Sequence, residues 1–195
     1  MLRTTLVALF LPAAAMADGY YAEIFGGISD LRSTDLDFSG LVEDGDFDTG
    51  PILGGAIGYD YADSPWRSEL EFTYRSADTN GFDGDFASTA LAINGYYDFA
   101  GSGRITPYLG AGLVYVTEID LDVESGPQLG EYSDRGVVAG QIMLGARMAL
   151  SDRVDLSGEL RYLDAGSVTL DRDGGGDMTA DYSTVELMLG LGWRF

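Results

Sequence analysis

The sequence predicts an all-β protein, an eight-stranded antiparallel up-and-down transmembrane β-barrel. Three observations carry the prediction. Eight runs alternate apolar with polar or small residues, and a run of about ten residues, tilted, matches the thickness of an outer membrane. The connections between runs alternate strictly between long and short; in a meander that places four long connections at one rim and three short turns with both termini at the other. Several runs also carry charge on one face and aliphatic or aromatic groups on the other, because successive strand side chains point to opposite faces.

The chain opens with Arg3, an apolar run from Leu6 to Leu11 and the small residues Ala15, Met16 and Ala17 before Asp18. This is a secretory leader, too short to span a bilayer, with cleavage expected after Ala17. Residues 18–195 are then one domain. No later run is long and apolar enough for a transmembrane helix, so an exported chain is either soluble or a closed barrel.

Each strand follows in order. Tyr20 to Ile28 sets Tyr20, Ala22, Ile24, Gly26 and Ile28 against Tyr21, Glu23, Phe25 and Gly27. After the acidic stretch Ser29 to Gly50, Pro51 to Tyr59 turns Leu53, Gly55, Ile57 and Tyr59 outward. Trp66 to Arg75 alternates most clearly, with Trp66, Ser68, Leu70, Phe72 and Tyr74 opposed to Arg67, Glu69, Glu71, Thr73 and Arg75. Phe86 to Phe99 and Ile105 to Ile119 continue the pattern, separated by a turn on Gly101 and Gly103. Asp120 to Asp134 reads as an acidic loop, as do Ser76 to Asp85 and Asp164 to Ala180. Arg135 to Leu150 and Val154 to Leu163 flank a tight turn at Ser151 to Arg153. The last strand places Ser183, Val185, Leu187, Leu189, Leu191, Trp193 and Phe195 on one face, and Tyr182, Thr184, Glu186, Met188, Gly190, Gly192 and Arg194 on the other. Aromatics near strand ends suit a membrane interface, where one edge of the ring is wet.

Charge and composition narrow the function. There are 32 acidic and 11 basic residues, for a formal net charge of −21, which repels nucleic acid. Cysteine, histidine and lysine are absent, so there are no disulfides and no imidazole for general-base chemistry. Glu69 and Glu71 share a strand face, and two carboxylates suffice for glycoside hydrolysis. Arg67 and Arg75 flank them, however, which favours ionised, paired carboxylates. The expectation is therefore structural. Glu23, Arg67, Glu69, Glu71, Arg75, Arg147, Glu159, Arg161, Glu186 and Arg194 all fall on inward faces. An eight-stranded barrel is just wide enough for side chains to fill, and unpaired buried charge is costly. These ten should knit together and plug the lumen. Asp44, Asp46 and Asp48, and Asp171, Asp173 and Asp177 around a glycine triplet, have carboxylate spacings that suit hard cations. The first set fails the EF-hand pattern at Thr49 and Gly55, so solvated loops are expected, with no metal or other cofactor.

The stretches Ala15-Met16-Ala17, Thr106-Pro107-Tyr108-Leu109-Gly110-Ala111-Gly112 and Leu189-Gly190-Leu191-Gly192-Trp193-Arg194-Phe195 resemble the small eight-stranded outer-membrane β-barrels: the OmpA transmembrane domain, OmpX and the opacity-type surface proteins. The resemblance is architectural and implies the outer membrane of a Gram-negative bacterium. It implies contact with outer-membrane lipid and lipopolysaccharide, and an assembly signal at Leu189, Leu191, Trp193 and Phe195 read by the barrel-assembly machinery. It also implies a chain without the peptidoglycan-binding domain of full-length OmpA. Enzymes among such barrels lean on a histidine, which this chain lacks. The expected function is a non-catalytic structural or surface-interaction role, with any extracellular partner met through the four acidic loops. A small porin-like channel and a secreted lipocalin-like carrier of an apolar ligand are the alternatives. The carrier would need its aliphatic face inward.

Overall fold

The computed structural model describes residues 19–32, 34–38, 41–80, 84–100, 103–123, 130–172 and 177–195. The expected leader, residues 1–17, lies outside them, as do the side chains of Asp44 and Asp46, and Asp173 with the glycine triplet. Eleven strands are described: β1 (Tyr20–Leu31), β2 (Thr34–Phe38), β3 (Leu41–Phe47), β4 (Gly50–Asp60), β5 (Trp66–Asn80), β6 (Gly84–Asp98), β7 (Ile105–Val123), β8 (Gly130–Asp134), β9 (Val137–Ala149), β10 (Val154–Arg172) and β11 (Asp177–Arg194).

Eight of them close a ring in the order β1-β4-β5-β6-β7-β9-β10-β11, every pair antiparallel, with β11 returning to β1. Leu187, Leu189 and Leu191 are 57%, 67% and 45% exposed, whereas Arg67 and Glu69 are 4% and 7% exposed. Aliphatic groups clothe this ring and charge fills it, which excludes a soluble carrier with an aliphatic interior.

The structure corrects the sequence reading of the long connections. They are largely strand. Above the first ring, β2 pairs with β11, β3 with β2 and with β5, and β8 with both β7 and β10. Together with the upper parts of β5, β6, β7, β10 and β11, these pairings close a second ring of eight on the first. β10 has 19 residues, a contour of roughly 60 Å and a height of about 45 Å at a tilt of ~40°, against an apolar band of ~25 Å. Roughly 20 Å therefore stands beyond the bilayer by the same geometry.

In β7 and β10 the buried parity changes between the storeys. In β7, Leu109, Leu113 and Tyr115 point outward, yet Ile119 and Leu121 are buried. The register shifts between β6 and β7 at Thr89/Ala90, where Thr117 is the extra residue. A bulge puts two residues opposite one and so inverts the parity of all that follows. The same occurs in β10 between Asp164 and Gly166, after which Val168 and Leu170 are buried; Gly166 takes φ +66° there, a conformation that favours glycine. Three further staves break between the storeys, β1 into β2, β3 into β4, and β8 into β9 through Gly136 at φ +85°, whereas β5, β6 and β11 run through both with one parity. Leu31, Phe86, Val116, Ile119, Leu121, Tyr132, Leu163, Leu170, Met178 and Tyr182 form the apolar core of the upper storey. The upper storey is built like a soluble protein, and the lower one is inside out.

Candidate functional site

The ten candidate interior charges lie on lower-storey strands, on the face opposite the lipid-facing aliphatics, but their partners are not always those that sequence proximity suggests. At mid-height Arg161 donates from Nη1 and Nη2 to the two carboxylate oxygens of Glu71, at 2.6 and 2.8 Å, and from Nη2 to Glu159 at 2.8 Å. Arg75 donates from Nε to Glu186 at 2.5 Å and from Nη1 to Thr73 at 3.0 Å. Arg67 reaches Glu69 at 2.5 Å and Asp98 at 3.2 Å, and its guanidinium stacks 3.8 Å over the Tyr96 ring and 4.5 Å over Tyr108. Glu69 and Glu71, adjacent on one strand face, are thus held by different arginines. Glu23 accepts from the Ser157 hydroxyl.

At the periplasmic mouth Arg147 bridges Asp98 and Asp60, and Arg194 pairs with Asp155 at 2.7 Å. Asp60 and Asp98 end strands beside turns, so composition alone assigns them to turns. Asp155 sits on the predicted inward face and could have been found by parity. Tyr21 donates to Glu69 at 2.5 Å, Tyr108 to Glu159 at 3.0 Å, Asn94 to Glu71 at 3.1 Å and Gln141 to Asn94 at 2.6 Å. The polar inward residues around the arginines extend the network, which satisfies most of its buried charged groups, while Arg75 Nη2, Gln141 Oε1, Glu186 Oε2 and Arg194 Nε accept or donate no hydrogen bond among the described residues. The lumen gaps lined by Glu23, Arg67 and Tyr108 measure about 20 and 10 Å³, the size of single water molecules.

Glycines make room for the interior aromatics. Tyr21 lies opposite Gly58, Phe25 opposite Gly54, Tyr96 opposite Gly110 and Tyr108 opposite Gly145, and a Cβ on any of these glycines would run into the facing ring. Gly110→Ala is expected to destabilise the barrel by about 1–3 kcal/mol, because Tyr96 is fixed between that glycine and Arg67. Urea unfolding in lipid vesicles checks it, and Gly95→Ala, where an added Cβ meets nothing within 4 Å, serves as the neutral comparison.

The outer wall of the upper storey is acidic. Asp78, Asp85, Asp122 and Glu131 stand directly opposite one another across β5, β6, β7 and β8, all exposed. Like charges so placed are destabilising. Asp120, one outward position below, has its carboxyl held above the usual range by partial burial and then by Glu118 and Asp122, against the opposing pull of Arg135. Arg135 itself pairs with Glu118 at 2.6 Å. The C-terminal residues Leu189, Leu191 and Trp193 lie on the lipid-facing side and Phe195 at the periplasmic end of the same strand line, its amide donating to the Tyr20 carbonyl at 3.1 Å.

A closed ring with an apolar exterior and an ionic interior defines a β-barrel of the outer membrane. The chain belongs to the outer membrane protein beta-barrel domain family, whose model matches residues 4–195. Outer membrane protein PagN of Salmonella typhimurium is 30% identical over 199 residues, covering 87% of this chain and 83% of PagN. Two solved structures share the fold. Neisserial surface protein A (NspA) has a TM-score of 0.58 at 19% identity, covering 91% of this chain and 97% of that one. A major outer membrane protein from Thermus thermophilus has a TM-score of 0.52 at 14% identity, covering 92% and 100%. The protein resides in the outer membrane of a Gram-negative bacterium, in contact with its lipid.

Proposed function

We propose that this protein is a non-catalytic surface barrel whose lower storey anchors it and whose acidic upper storey meets an extracellular partner. The observation that carries the reading is the filled lumen. Ion pairs occupy the lower storey and an apolar core the upper one, while the upper wall presents carboxylates to the outside. Glu69 and Glu71 are each tied to a guanidinium, which suits structure better than proton transfer. The ten interior charges act as a plug. Leu189, Leu191, Trp193 and Phe195 serve as the assembly signal for the barrel-assembly machinery, after a leader is removed behind Ala17.

Two experiments test the reading. Purified monomer in planar bilayers is expected to give no large, stable conductance; such a conductance would favour the porin-like channel. Cells displaying the intact protein are expected to retain a partner that cells displaying a variant with shortened upper strands do not. Equal retention would remove the surface-interaction role.

A further inference from the structure

The lipid-facing wall carries a furrow of about 260 Å³ between Leu109 of β7, Ile142 and Leu144 of β9, Leu160 and Tyr162 of β10, and Val185 of β11. We propose that it seats one acyl chain of the outer-leaflet glycolipid. Two cross-strand rows build it: Leu109, Leu144 and Leu160 are direct neighbours, as are Ile142, Tyr162 and Val185. Bare backbone borders it on β9 and β10. Gly140 lies one outward position above Ile142, and a Cβ there would meet nothing within 4 Å; Gly158 lies one outward position below Leu160.

The occupant follows from depth and chemistry. The furrow is continuous with the apolar band that faces the membrane, so hydrocarbon is its solvent. Its walls are almost wholly apolar, the Arg161 and Met143 side chains being buried on the inner face of the same strands; the Tyr162 hydroxyl donates to Asp164 at 3.0 Å and fixes the ring as the upper wall. A recess left unfilled forfeits dispersion contacts along its lining, and a flexible chain recovers them. Tyr162 sits directly beneath the β10 bulge, which places the furrow in the outer leaflet. Asp164 and Glu118 stand above and repel phosphate, so the chain rather than the headgroup is recognised.

Native mass spectrometry on the full-length protein, extracted from outer membranes in mild detergent, tests this. The wild type is expected to carry one glycolipid adduct of lipid A type. Val185→Trp fills the furrow from the outer face and is expected to lose the adduct, and Leu70→Trp on the opposite wall to keep it. Heat-modified gel migration verifies that each variant is folded, and Ile142→Trp replaces Val185→Trp if that variant is not. The proposal is overturned if the wild type carries no adduct, or if it carries phospholipid alone. It is equally overturned if the furrow-filling variant retains the glycolipid, or if that variant abolishes a dimer instead.

Discussion

Arg161→Met is expected to destabilise the barrel by about 3–5 kcal/mol, because it leaves buried carboxylates without their countercharge. Arg161 is fully enclosed, and Glu71 and Glu159 both depend on it. Glu159 keeps the Tyr108 hydroxyl and Glu71 keeps the Asn94 amide, which neutralise nothing. The double variant Arg161→Met/Glu71→Met is expected to recover the part of the loss owed to Glu71, since an apolar pair of similar volume replaces that ion pair and its desolvation, while Glu159 stays without its countercharge. Urea unfolding in vesicles reads both values, and the double cycle isolates the coupling. Strict additivity of the two single substitutions would show that the pair does not act as a unit.

Leu121→Ala is expected to cost about 2–5 kcal/mol, the range for opening a cavity in a packed core. The damage should be confined. Leu121 packs in the upper storey, and the lower storey is secured by its own ion pairs. Hydrogen exchange should therefore quicken in the upper parts of β7 and β10 and in β8, while the amides around Leu109 and Leu144 keep their protection. The variant should still migrate as a folded barrel on unheated gels. Uniform loss of protection through both storeys would mean that they unfold together.

The difference between the two storeys explains what was legible in the sequence. In the lower storey a strict period of two survives in every stave, so faces, register class and the ten interior charges could be read residue by residue. The upper storey hides its strands in two ways. In β7 the apolar residues Leu113, Tyr115, Ile119 and Leu121 keep odd positions throughout, and the bulge at Thr117 changes which side they face without changing the pattern. In β11, by contrast, Asp177, Thr179, Asp181 and Ser183 occupy the outward positions that Val185, Leu187 and Leu189 hold lower down. A stretch whose outward face turns acidic reads as loop when lipid is taken as the environment. Partner choice was less legible still. Arg75 of β5 takes Glu186 of β11, which is 111 residues away, because closing the ring sets these two strands facing across the lumen, and no local spacing encodes that.

The parity flips at Thr117 and Ala165 have a mechanical consequence. They set a waterline on the β7 and β10 walls, hydrocarbon-seeking below and carboxylate-bearing above, within a single residue step. Sinking by one such step would drag Glu118 and Asp164 into oil, and rising by one would strand Tyr115 and Tyr162 in brine. The barrel cannot bob to suit a bilayer of different thickness, so the surrounding lipid must stretch or thin to meet it.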